Sequence, residues 1–278
     1  MNCVNYDRYK DTGSVFIATV FLDSLCSEFL GKARKIDGLE KVVRYTERAR
    51  SIGLGNLGFH SYLQEKGIAF EEYLAHRLNI EIFSQLREEA EEATKWLAEE
   101  LGEPEWCKGF GRRNTHLIAC APNVSSSTLA GQVSQGITPW YANAYLEPTA
   151  SGELMRINPT FLKLAKERKK YNKALVTHVV NNKGSVQDLD WLDDHEKLVL
   201  KTAFEIDQRA ILRLASARQQ YIDQGQSLNL FFSSDEKEEY IAEIHKEFFL
   251  DPFLKGLYYV RSESGIQASK DTCVACES

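Results

Sequence analysis

The sequence predicts an α/β fold, and three features carry that prediction. Helix-periodic stretches alternate with short apolar runs. Apolar residues make up 43% of the 278, enough for a large core in one domain or two smaller ones. No internal repeat or low-complexity linker interrupts the pattern.

The elements follow in chain order. Residues 21–30 are helix-patterned, and the charged run 44–51 is helix-like. From 82 to 101, Ile82, Leu86, Ala90, Ala93, Leu97 and Leu101 recur at helical spacing, and Gly102 with Pro104 ends the run. A second long helix is expected after Asp193 and Asp194, with Val199, Ala203, Ile206, Ala210, Leu214, Ala217 and Tyr221 along one side. A third is expected over about 234–248, opened by a Ser-Ser-Asp-Glu capping signal. Apolar runs at 117–120, 227–232 and 256–260 are the strand candidates. Residues 264–278 are small and polar and read as a flexible tail, which divides the chain into 1–263 and 264–278.

Composition narrows the function. Lys and Arg total 34 against 40 Asp and Glu, a net charge of −6, which argues against a sequence-wide nucleic-acid binder. No apolar run approaches the roughly 18–20 residues of a membrane span, and the first residues lack a secretory core. Six cysteines are too sparse for a disulfide framework. Together these predict a cytoplasmic protein without a membrane partner. Length alone would fit a complete enzyme.

Several residues could carry chemistry. Gly53, Gly55 and Gly58 satisfy G-x-G-x-x-G, but charged, helix-like residues precede them where a dinucleotide site needs an apolar strand. Glycines for close strand–helix packing are the better reading. At Asn123, Val124, Ser125 and Ser126 an apolar run passes Pro122 into a hydroxyl-rich helix start. Loop N–H groups and hydroxyls there make a neutral anion site, or a plain N-cap. Tyr258 and Tyr259 are core aromatics or a one-electron relay; a regular strand would point neighbours to opposite faces. Cys273 and Cys276 form a C-x-x-C at the end of the chain. Zinc lacks the further ligands and a thioredoxin-type site lacks its helix, so a mobile exchanging dithiol fits best. The six histidines show no metal-ligand spacing.

These features occur together, and in this order, in one family. The chain resembles the C-terminal part of the large subunit of class I ribonucleotide reductases. Arg50-Ser-Ile-Gly-Leu-Gly resembles that family's R-x-[IL]-G-[IL]-G. Arg113-Asn-Thr-His-Leu followed by Ala121-Pro-Asn-Val-Ser-Ser-Ser resembles R-N-S-x-L and its phosphate loop. Gly136-Ile-Thr-Pro, Ser185-Val-Gln, Lys201-Thr-Ala-Phe-Glu-Ile, Ile222-Asp-Gln-Gly-Gln-Ser-Leu-Asn, Leu257-Tyr-Tyr and the terminal cysteines complete the set.

The resemblance implies the C-terminal half of a ten-stranded α/β barrel, with its tail, and reduction of ribonucleotides by a thiyl radical. It implies that Asn123, Val124, Ser125 and Ser126 bind the substrate phosphates. Tyr258 and Tyr259 would relay the radical. Cys273 and Cys276 would re-reduce the active-site disulfide and in turn be reduced by thioredoxin or glutaredoxin. It implies no cofactor or metal in this chain, and a diiron-tyrosyl radical or equivalent in a partner small subunit.

The chain also departs from the family's pattern. Asn123 stands where Thr or Ser is common, and the spacing to Gly136 is slightly longer. The radical cysteine's N-L-C-x-E motif is absent. Leu25-Cys-Ser-Glu lacks its Asn and lies in a helix pattern, so Cys26 is not read as the radical cysteine. Cys3 lies downstream of the position of the second reducing cysteine. The expectation is therefore half of a split large subunit, inactive and aggregation-prone alone. It would assemble with an N-terminal piece that carries the radical cysteine. Two alternatives are a non-catalytic regulatory or binding module that keeps the fold, and a stand-alone thiol oxidoreductase.

Overall fold

Among the described residues, 1–149 and 152–262 of this computed structural model, five stretches of backbone lie side by side and parallel. Residues 1–3 pair with the end of the stretch 52–57: Leu57 N donates to the Met1 carbonyl at 2.9 Å and Cys3 N to the Leu57 carbonyl at 2.8 Å. Residues 52–57 pair in turn with 116–119, through Leu54 N to the Leu117 carbonyl at 2.7 Å and Ala119 N to the Leu54 carbonyl at 3.0 Å. Ser227 N donates to the Cys120 carbonyl at 2.9 Å, which joins the third stretch to the fourth. The fourth and fifth hold regular strands, Asn229–Phe232 and Tyr259–Ser262, with Asn229 opposite Tyr259.

Parallel neighbours cannot be joined by tight turns, so helices fill every connection. α1 (Tyr6–Tyr9), α2 (Ser14–Ala33) and α3 (Glu40–Ala49) join the first stretch to the second. α4 (Phe59–Glu65) and α5 (Tyr73–Leu101) lead to the third. The next connection holds α6 (Val124–Leu129), the antiparallel hairpin β1 (Ala144–Thr149) and β2 (Gly152–Ile157), α7 (Pro159–Glu167), α8 (Lys173–Asn181), α9 (Asp194–Val199) and α10 (Gln208–Gln219). α11 (Glu238–Leu250) then links β3 (Asn229–Phe232) to β4 (Tyr259–Ser262).

Side chains alternate across this ladder, as the two-residue period of extended chain requires. Ile52, Leu54, Ile118, Cys120, Gln226, Leu228 and Leu230 are buried on the face covered by α5 and α10. Gly53, Gly55, Ala119, Ser227 and Asn229 alternate with them and are less buried. A Cβ on Gly55 would lie 2.4 Å from the Ala119 carbonyl oxygen, and one on Gly53 would lie 3.2 Å from the Ala119 Cβ. These glycines therefore serve close strand–strand approach, not the strand–helix packing expected. The rejected nucleotide site stays rejected.

A buried ionic clamp fixes the start of the ladder. Asp23 of α2 is 1% exposed and takes Arg50 Nε at 2.7 Å and Nη2 at 2.8 Å. The same carboxylate accepts Arg113 Nε at 3.0 Å and Asn114 Nδ2 at 2.9 Å. Arg50 ends α3 in the left-handed region, φ 42°, just before the second stretch, and Asn114 lies just before the third. A second buried cluster, with Phe161, Val176, Val179, Val186 and Leu200, packs beside the β1–β2 hairpin.

Four sequence expectations need correction. The helix expected after Asp193 is two helices, because residues 200–207 leave the helical path. Asp207 caps α10 through Arg209 N at 3.0 Å, and Gln208 Nε2 bonds the Ala203 and Ile206 carbonyls of the break. The third helix starts at Glu238, since Ser233 and Glu236 close a turn instead of a cap. β4 begins at Tyr259 and not at 256. Finally, α2 contains an 18-residue window of mean hydropathy 1.5, long and apolar enough to cross a membrane by length and composition. Here α2 packs along α5, with Val15, Thr19 and Asp23 buried.

Candidate functional site

The residues expected to bind phosphate, Asn123, Val124, Ser125 and Ser126, follow directly from the third stretch. Asn123 adopts φ 53° and ψ 40°, a conformation Asn tolerates better than the β-branched Thr common at this position. Its side chain donates to the Asn56 carbonyl at 3.0 Å, which ties the loop to the second stretch. Ser127 turns inward, is 2% exposed and donates to the Val124 carbonyl at 2.7 Å. Val124, Ser125 and Ser126 face outward. As the first turn of α6, they present N–H groups without helical acceptors. The hydroxyls of Ser125 and Ser126 make no hydrogen bond among the described residues. Gly136 packs behind the loop at φ +55°, where a Cβ would meet the Ala121 carbonyl oxygen at 2.7 Å.

The tyrosines meet. The rings of Tyr258 and Tyr259 have centroids 4.1 Å apart at an interplanar angle of 56°. Sequence neighbours on a regular strand would point apart. Tyr258 escapes this because it precedes β4 and is anchored through its N–H to the Leu228 carbonyl at 2.8 Å. Arg261 lies 5.0 Å from the centre of the Tyr259 ring. Both phenols are partly accessible, 47% and 40%.

The stretch that leads into the loop and the strand of Tyr259 both flank the fourth stretch. Cys120 lies opposite Gln226 and Asn229 opposite Tyr259. The fourth stretch therefore separates the third from β4. Asn229 lies between, with its Oδ1 buried and unpartnered. Sequence reasoning did not single it out, although it ends the quoted Ser-Leu-Asn motif. Nor did it single out a second ring pair, Tyr141 and Tyr145, at 4.6 Å. Burial, with the neighbouring Tyr145, pushes the Tyr141 phenol up, and the Arg261 charge partly opposes this.

The remaining cysteines are set apart by burial. Burial pushes Cys3 up to about 12 and Cys120 up to about 11, so both stay protonated near neutrality. Cys26 lies inside α2, as its helix-patterned surroundings predict. Cys273, Cys276 and the expected tail lie outside the described residues. Among the described residues, no group of three or more His, Cys, Asp or Glu could hold a metal ion.

The family model described as "Ribonucleotide reductase, barrel domain" matches residues 5–110 and 104–260. The ribonucleoside-diphosphate reductase large subunit of Invertebrate iridescent virus 6 is 39% identical over 277 residues, which cover 97% of this chain and 28% of that protein. A putative large subunit from Frog virus 3 (isolate Goorha) is 36% identical over 289 residues, covering all of this chain and 51% of that one. Among solved structures, the Actinobacillus ureae class Id ribonucleotide reductase alpha subunit superposes with a TM-score of 0.85 at 38% identity. That match covers 95% of this chain and 49% of the subunit. The chain thus spans between about a quarter and a half of the relatives it matches.

Proposed function

Since the chain belongs to the ribonucleotide reductase barrel-domain family, we propose that it is the C-terminal component of a catalytic large subunit. It works with an N-terminal piece that carries the radical cysteine, and with a small subunit that supplies the radical. The substrate is a ribonucleotide, whose phosphates rest on Asn123, Val124, Ser125 and Ser126. Outward N–H groups at a helix start, with two unengaged hydroxyls, suit an anion without a lysine. Residues 1–263 supply the barrel half and 264–278 the redox tail, and the protein acts in the cytoplasm.

Each residue set has one task. Tyr258 and Tyr259 pass the radical towards the active-site cysteine, each phenol losing an electron and a proton and then regaining them. Ribonucleotide reduction consumes a dithiol and yields a disulfide and water. Cys273 and Cys276 exchange with that disulfide, and thioredoxin or glutaredoxin restores them. The small subunit's diiron-tyrosyl centre, or its equivalent, provides the oxidising equivalent.

The ring contact between Tyr258 and Tyr259 carries this reading. It is tested with Tyr258→Phe in the assembled complex. A phenylalanine keeps the ring packing but lacks the ionisable phenol, so turnover should fall at least about 100-fold (about 2.7 kcal/mol on the barrier) with assembly intact. Unchanged turnover would exclude the relay. An assembled complex that stays inactive with the wild-type chain would favour a regulatory module.

A further inference from the structure

Resting on that reading, we infer that Arg261 is a positioning residue of the relay: its guanidinium seats the Tyr259 ring against Tyr258 and couples loss of the Tyr259 proton to loss of its electron. Arg261 stands two residues beyond Tyr259 on β4, and residues so spaced on extended chain share a face. Its guanidinium carbon lies 5.0 Å from the centre of the Tyr259 ring, and the Tyr258 ring lies 4.1 Å from that ring. Tyr259 thus has a phenol and a cation as ring neighbours. Arg261 makes no ion pair among the described residues, so no carboxylate there neutralises its charge.

The surroundings leave that charge to the rings. β3, which pairs with β4, contributes Asn229, Leu230, Phe231 and Phe232, none of them titratable. Phe231, opposite Arg261, is buried and meets the Phe204 ring edge-on at 5.4 Å. Ala203 N donates to the Trp140 carbonyl at 2.6 Å, which ties the segment of Tyr141 to that of Phe204. The Arg261 charge also acts on the Tyr141 phenol. Among the described residues, the titratable groups around Tyr259 are therefore Tyr258, Arg261 and, through Arg261, Tyr141. A cation beside a ring attracts its π electrons. Removing an electron alone would leave a cationic phenol next to the guanidinium, whereas removing an electron and a proton together leaves a neutral phenoxyl. Arg261 opposes the first and leaves the second open. Tyr259 gives one electron and one proton to the incoming small-subunit radical and recovers both from Tyr258, so the net charge of the ring beside Arg261 never changes.

The test places 3-nitrotyrosine at position 259, where its ionised phenol is read by visible absorption, in the full chain assembled with its N-terminal polypeptide. Arg261→Gln keeps much of the side chain's reach without the charge. It should raise the pH at which that phenol ionises by about 0.5 unit, the size of an exposed cation–ring attraction. Arg261→Lys should restore most of that shift. With native Tyr259 and the small subunit present, Arg261→Gln should lower kcat about fivefold at unchanged nucleotide KM, and Arg261→Lys should recover it to within about twofold. An unshifted nitrophenol, an unchanged kcat in Arg261→Gln, or an equal loss in the Gln and Lys variants overturns the inference while leaving the relay intact. So does a weakened affinity for the small subunit that accounts for the lost turnover, which would make Arg261 a docking residue. Full turnover in Tyr258→Phe removes the relay reading itself, and this inference with it.

Discussion

Asp23→Asn should loosen the whole start of the parallel ladder. The wild-type carboxylate is 1% exposed and holds two guanidiniums and one amide at 2.7–3.0 Å. The variant leaves Arg50 and Arg113 without their anion and turns an amide donor towards Asn114 Nδ2. Removing one partner of a buried ion pair costs about 3–5 kcal/mol, against a typical total stability of about 5–15. At about 1.4 kcal/mol per decade, ladder amides that open through this region should exchange about 100- to 4000-fold faster. The informative amides are Ile52, Leu54 and Ala119, which bond to His116, Leu117 and Leu54. Hydrogen exchange followed by mass spectrometry reads them in the isolated chain or in a complex. Glu28→Gln on the same helix is the control, because Glu28 and Lys32 are 65% and 76% exposed. Ladder exchange within about threefold of wild type in Asp23→Asn would refute the clamp.

The same carboxylate predicts acid sensitivity. Burial alone would raise Asp23, but the Arg50 hydrogen bonds and charge, with Asn114 and Arg113, hold it below the ordinary carboxylate value. A depressed folded value contributes stability above the unfolded value of about 3.9, and that contribution is lost as pH falls towards the folded value. The urea midpoint should therefore drop more between pH 6 and about 3.5 in wild type than in Asp23→Asn. Gly136→Ala should displace the serine loop and raise the nucleotide KM about tenfold, since the new Cβ would meet the Ala121 carbonyl at 2.7 Å in a left-handed backbone. Exchange at Ile52 and Leu54 should stay unchanged in that variant. The double variant Cys273→Ser, Cys276→Ser should turn over with dithiothreitol but not with thioredoxin or glutaredoxin; retained thioredoxin-coupled turnover would remove the shuttle.

Local chemistry was legible along the chain wherever it depended on neighbours in sequence. The periodicity of 82–101 marks α5, although its helix starts earlier, at Tyr73. The hydroxyl cluster after Pro122 does begin a helix, and the glycine triplet is preceded by helix α3 and not by the strand a dinucleotide site needs. The break between α9 and α10 was hidden, because the apolar spacing continues through it while Asp207 and Gln208 bond the backbone differently. Asn229 escaped notice because a single Asn has no pattern; only its strand partner Tyr259 gives it a place.

By itself the sequence determined the helix faces, the family pattern and the chemistry-bearing side chains, since each depends on residues a few positions apart. Only the tertiary structure decided that residues 1–3 and 52–57, too short and glycine-rich to read as strands, are ladder segments. Parallel pairing is made by hydrogen bonds between distant stretches, so no local window contains it. The same long-range pairing sets Tyr258 at the entry to β4, with its N–H on the Leu228 carbonyl. There two adjacent tyrosine rings touch, in a strand two places along the ladder from the stretch that leads into the serine loop.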